Sequence, residues 1–169
     1  MNAIILYYSR SGNTEKLAKQ IQKEFHCDIL KIGPEEAYGN YIESCFRVMK
    51  ERRKKEIPAF VTEVPDLKNY DLIFLGYPIW AQDVPVFISD FVQKCDIEGK
   101  VIIPFATYGL SGINWTRKTL DKICNGATIM FPYDTGVIKK GDYDSWLKLV
   151  KQKFYSDLRS KTNAPEESR

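Results

Sequence analysis

AIILYYSRSGNT, residues 3–14, decides the fold. It opens with an apolar run from Ala3 to Tyr8, the pattern of a strand buried on both faces. The run then turns small and polar through Ser9, Arg10, Ser11, Gly12, Asn13 and Thr14. Leu17, Ala18, Ile21 and Phe25 follow at helical spacing. A strand, a hydroxyl-rich loop and a helix in that order make an anion site. The free N–H groups of the loop and the positive end of the helix dipole converge, and Ser and Thr hydroxyls add donors. Gly12 lets the backbone approach a ligand without a Cβ in the way.

Two nucleotide motifs are excluded. A phosphate loop of the nucleoside-triphosphate type needs a lysine where Asn13 stands, and no G-x-G-x-x-G is present. A strand-to-helix turn with a Ser, Asn or Thr N-cap is the plain alternative. Four hydroxyl or amide side chains around one glycine favour a terminal phosphate monoester instead.

Working outward, the chain of 169 residues fits one domain with a full core. Residues 1–159 are expected to form that domain, with a polar, frayed tail over 160–169. No segment is long and apolar enough to span a bilayer, and no signal-peptide pattern stands at the N-terminus, so a cytoplasmic protein is expected. Cys27, Cys45, Cys95 and Cys124 form no C-x-x-C pair and have only His26 for company. They read as buried or half-buried free thiols rather than a metal set, and His26 as a solvated residue ending the first helix. A net charge of +3 is too small to argue for nucleic acid. The basic run Arg47, Lys50, Arg52, Arg53, Lys54 and Lys55 reads as the solvated face of a helix.

In chain order, a short strand is predicted over Asp28 to Ile32 and a helix over roughly Tyr41 to Lys55. Phe60-Val61 is expected to pack back on the sheet. A central strand follows over Tyr70 to Leu75, a loop over Gly76 to Val84, and a helix from Pro85 with Phe87, Phe91 and Val92 inward. Val101 to Phe105 reads as a strand, Trp115 to Ile123 as a helix and Ala127 to Phe131 as the last strand. Tyr143 to Leu158 closes the chain as a helix with Trp146, Leu147, Val150 and Phe154 inward. Five strands alternating with helices predict an α/β doubly wound parallel sheet, helices on both faces. Loops after the first, third and fourth strands should then share the carboxyl rim, where ligands bind.

YSRSGNT at residues 8–14 resembles the phosphate loop of flavodoxins, with its Ser/Thr-x-Ser/Thr-Gly-Asn-Thr pattern. GYPIW at residues 76–80 and PFATYGLSG at residues 104–112 look like the flavin-contacting loops of bacterial flavodoxin-like proteins. The resemblance runs from Ile4 to about Leu158 and implies a flavodoxin-like sheet of order 2-1-3-4-5 with FMN as cofactor. By that resemblance Ser9, Arg10, Ser11, Gly12, Asn13 and Thr14 hold the phosphate. Trp80 stacks on the ring, with Pro78, Ile79 and Ala81 shaping its loop. Thr107, Tyr108, Gly109 and Gly112 line the other side.

The chain departs from the pattern at Ala81 and Gln82, where many relatives carry a second aromatic and a glycine. A glycine there permits a peptide flip that favours one-electron chemistry, and the Cβ of Ala81 is expected to resist the positive φ involved. No side chain reads as catalytic and none as a metal ligand. Three functions follow as alternatives: an electron carrier with a redox partner protein, an NAD(P)H-dependent reductase of quinones or similar acceptors, or an interaction protein on the same scaffold. No membrane or nucleic-acid partner is expected.

Overall fold

The computed structural model describes residues 1–162. Alternation of apolar runs with amphipathic segments produces β1 (Ala3–Tyr7), α1 (Asn13–Phe25), β2 (Asp28–Lys31), α2 (Tyr41–Lys54) and β3 (Leu72–Pro78). It continues with α3 (Val86–Lys94), β4 (Val101–Tyr108), a 3-10 turn (Ile113–Thr116), α4 (Arg117–Ile123), β5 (Thr128–Ile129), β6 (Tyr133–Gly136) and α5 (Tyr143–Thr162). The sheet is parallel throughout and ordered β2-β1-β3-β4-β5, with β6 also paired to β4. The doubly wound expectation holds.

Successive side chains of a strand point to opposite faces, and the sheet divides its core accordingly. Ile4, Leu6, Ile73, Leu75, Tyr77 and Ile102 join Phe87, Phe91 and Leu120 on one face. Ile5, Tyr7, Phe74, Ile103 and Phe105 join Leu17, Ile21, Trp146 and Val150 on the other. Phe60 packs edge-on against Phe91 at 5.0 Å while Val61 is exposed. The link packs back through one residue of the predicted pair. Cys95 and Cys124 are buried and Cys27 and Cys45 half-buried, all as free thiols. Burial pushes the Cys95 and Cys124 thiols up to about 12, out of reach of thiolate chemistry at neutral pH. His26 ends α1 in an exposed left-handed turn. Among the described residues no metal-binding group forms and no helix is long and apolar enough to cross a membrane.

Several boundaries differ from the sequence reading: β4 continues past Phe105 to Tyr108, and the helix expected from Trp115 begins as a 3-10 turn with α4 starting at Arg117. β3 runs on to Pro78, because Gly76 does not break it: the missing Cβ leaves room for the Phe105 ring of the neighbouring strand. The last strand is split. Phe131 takes φ 46° before Pro132, so pairing with β4 stops at Ile129 and resumes as β6, which the sequence reading lacks. α5 runs to Thr162, and of the predicted frayed tail residues 163–169 lie outside those described.

Candidate functional site

The loops after β1, β3 and β4 meet at the carboxyl edge, as predicted, around a cavity of about 740 Å³. α1 starts in its wall. The N-cap is Gly12 at φ 88°, and no side chain caps the helix. The first-turn N–H groups of α1 therefore have no intrahelical acceptor and no side-chain substitute. Ser9 is buried, and its Oγ accepts from Gly12 N at 3.1 Å, which fixes the turn. Ser11 and Asn13 are exposed and linked by Asn13 Nδ2 donating to Ser11 Oγ at 3.4 Å. Thr14 Oγ1 and Thr107 Oγ1 share a hydrogen bond of 2.8 Å, which ties the β1 loop to the end of β4.

Arg10, Ser11, Asn13, Pro78, Ile79, Trp80, Thr107, Tyr108 and Gly109 all line the cavity. Of the other predicted residues, Ser9 and Thr14 are buried behind the loop as its supports, and Gly12 is exposed at its turn. Gly112 sits against Asp134, whose Oδ2 accepts from Ile113 N at 2.7 Å. Trp80 reaches the cavity from within the core: it is 2% exposed, T-shaped to Tyr8 at 5.8 Å and tilted to Tyr38 at 4.9 Å.

The expectation for Ala81 is overturned. Ala81 and Gln82 sit at φ 48° and 64°, both left-handed. Trp80 and Asp83 exchange backbone hydrogen bonds of 3.2 Å across them, and a two-residue hairpin of this kind demands positive φ at both central positions. Arg52 holds the strain. Its guanidinium donates to Ala81 O at 2.9 Å and to Trp80 O and Val84 O at 3.2 Å each. Asp83 lies 4.0 Å from the same group and accepts from Thr119 Oγ1 at 2.9 Å. One member of the supposed solvated basic run is thus a clamp on the β3 loop.

The sequence reading missed one whole wall. Lys16, Tyr41, Tyr133, Thr135, Lys140 and Tyr143 line the cavity as well. Lys16 lay just beyond the motif. Tyr41, 39% exposed, is brought in by an Asn40 capping box that starts α2 beside Gly109. The remainder comes with β6, which also braces the β4 loop. Tyr108 lies over Gly136, and its hydroxyl donates to Lys139 O at 3.2 Å.

The fit to a flavin phosphate is good on three counts. An uncapped helix start and three cations (Arg10, Lys16 and Lys140) line the cavity; Pro78, Ile79, Trp80 and Tyr108 add apolar surface to it. The Tyr143 hydroxyl, also in the wall, is buried with no hydrogen-bond partner among the described residues. Burial pushes it up to about 12, so it remains a donor in want of an acceptor.

Known proteins share this fold. A protein of Bacteroides uniformis assigned to the flavoproteins superposes with a TM-score of 0.75 at 26% identity, covering 89% of this chain and 97% of that one. Its counterpart in Bacteroides eggerthii gives 0.75 at 24% identity, covering 89% and 96%. A Lactobacillus acidophilus flavoprotein solved in complex with FMN gives 0.68 at 20% identity, covering 86% and 97%. A comparison with curated proteins returns no match. The flavodoxin family model matches residues 2–148. The chain therefore belongs to the flavodoxin family, whose cofactor is FMN.

Proposed function

We propose that this chain binds FMN in the cavity and works as an electron carrier. The observation that carries the reading is the uncapped start of α1 in the wall of a cavity that also presents apolar surface. Ser11 and Asn13 with the N–H groups of the first turn hold the phosphate, Thr14 fixes that turn through Thr107, and Arg10 and Lys16 lower the electrostatic cost. Tyr41 and Tyr108 flank the ring, Trp80 supports it from the core, and Pro78, Ile79, Ala81, Thr107, Gly109 and Gly112 shape the cavity. FMN supplies the electron capacity, and the protein sets access and poise. Arg52 occupies the Ala81 carbonyl and so opposes rearrangement of the β3 loop.

The chain should bind FMN more tightly than riboflavin. Ser11→Ala should weaken FMN binding by about 1–3 kcal/mol and leave riboflavin nearly unaffected. Fluorescence titration measures both, and equal affinity of the unaltered protein for the two flavins would rule the reading out. Electron transfer is tested separately. The FMN-loaded protein, mixed with NADPH and a soluble quinone, should oxidise NADPH no faster than free FMN does. Turnover well above that level would place the chain among reductases instead.

A further inference from the structure

α2 is built inside out. Its buried residues are Ser44, Val48 and Glu51, two of them polar. Ser44 Oγ donates to Asn40 O at 2.8 Å, and Glu51 accepts from the Tyr38 hydroxyl at 3.1 Å and Arg47 Nε at 2.8 Å. The opposite face carries Ile42, Phe46 and Met49, which are 65%, 67% and 55% exposed. At 3.6 residues per turn these three align with Arg53 in one row, on the side of the helix facing away from the core. An exposed apolar stripe on a helix whose inward face is polar marks an interface.

We propose that the occupant of this stripe is α2 of a second copy of the chain, packed antiparallel about a two-fold axis between Phe46 and Met49. Charge selects this partner. Acidic Glu35, Glu36 and Glu43 lie toward the start of the helix, and Lys50, Arg53, Lys54 and Lys55 toward its end. Lys50 and Arg53 have no carboxylate partner among the described residues. An antiparallel pair sets each acidic end over the other's basic end, whereas a parallel pair would set like on like. A two-fold contact uses one self-complementary patch twice, and this helix supplies apolar centre and charged ends in that order. A uniformly acidic partner would satisfy Lys50 and Arg53 and repel the three glutamates. The aliphatic stem of Arg53 then covers Ile42 of the second copy. The contact is small by the standards of permanent dimers, so association at roughly micromolar concentration is expected. The inference is independent of the flavin reading, since Phe46 and Met49 lie outside the cavity.

Sedimentation equilibrium of the full chain over the low- to high-micromolar range tests it. The expected result is a rise from the mass of one chain toward that of two. Phe46→Glu, and separately Met49→Glu, should abolish the rise while circular dichroism and FMN binding stay unchanged. Two variants guard against one of them failing to fold. A protein that stays monomeric throughout the range overturns the proposal and leaves the stripe to a different partner. A dimer that survives both folded variants overturns it too, by placing the contact elsewhere.

Discussion

Trp80→Ala is expected to destabilise the protein by about 3–5 kcal/mol, the cost of emptying a fully buried large aromatic site. Trp80 is among the largest fully buried side chains, and it packs with Tyr8, Tyr38 and Phe87 in one aromatic cluster. Its neighbours come from the end of β1, the segment before α2 and the helix α3, so no single element can move in to fill the space. Urea denaturation of the apoprotein measures the loss as a lower midpoint at constant slope. A loss under about 1 kcal/mol would mean that the site collapses freely, contrary to this packing. Tyr41 separates structure from binding. Tyr41→Ala should leave stability within about 1 kcal/mol, because the side chain is substantially exposed, and should raise the emission of bound flavin. If Trp80→Phe alone restores that emission, the stacking face belongs to Trp80.

Arg52→Met should cost about 2–3 kcal/mol, a figure already reduced for the 30% exposure of the side chain. The substitution keeps the apolar stem and removes every donor to the carbonyls of Trp80, Ala81 and Val84. The loop then keeps only the Trp80–Asp83 backbone pair and the Thr119 contact against two non-glycine residues in left-handed conformation, each unfavourable by about 1–2 kcal/mol. Arg52→Lys should rescue little, because a single ammonium cannot span three carbonyls as a planar fork does. Adding Ala81→Gly to Arg52→Met should recover part of the loss, since glycine takes this conformation without strain. Hydrogen exchange at the Trp80 and Asp83 amides is the direct readout. Protection unchanged in Arg52→Met would show that the hairpin stands without the clamp.

How much of this was legible in the sequence depended on whether a residue's role is set locally. β1, β3 and β4 were legible because strands buried on both faces need unbroken apolar runs. The α1 loop was legible because its chemistry is contiguous. β6 was not: Tyr133-Asp134-Thr135-Gly136 has neither an apolar run nor clean alternation, and its pairing comes from β4. Ala81 and Gln82 were misjudged because local preference favours negative φ, and the force that overrides it comes from Arg52, some thirty residues away in sequence. The exposure of Phe46 and Met49 was not legible, because apolar residues on a charged helix ordinarily face the core, and the network of Tyr38, Arg47 and Glu51 instead turns that helix polar side in. For β6 and for the Ala81-Gln82 turn the deciding partner is distant along the chain.

The split last strand has a consequence for the order in which the protein is made. Residues 9–14 and 76–84 are synthesised first, and the wall formed by Tyr133, Thr135, Lys140 and Tyr143 follows only about fifty residues after the second of them. β6 cannot pair with β4 until then, and the Tyr108 loop has nothing beneath it. A nascent chain halted at Pro132 would own a phosphate loop and an open ledge but no closed pocket. Cofactor loading is thus confined to chains extended past Tyr143, and a ribosome-tethered fragment ending at Pro132 should carry no flavin.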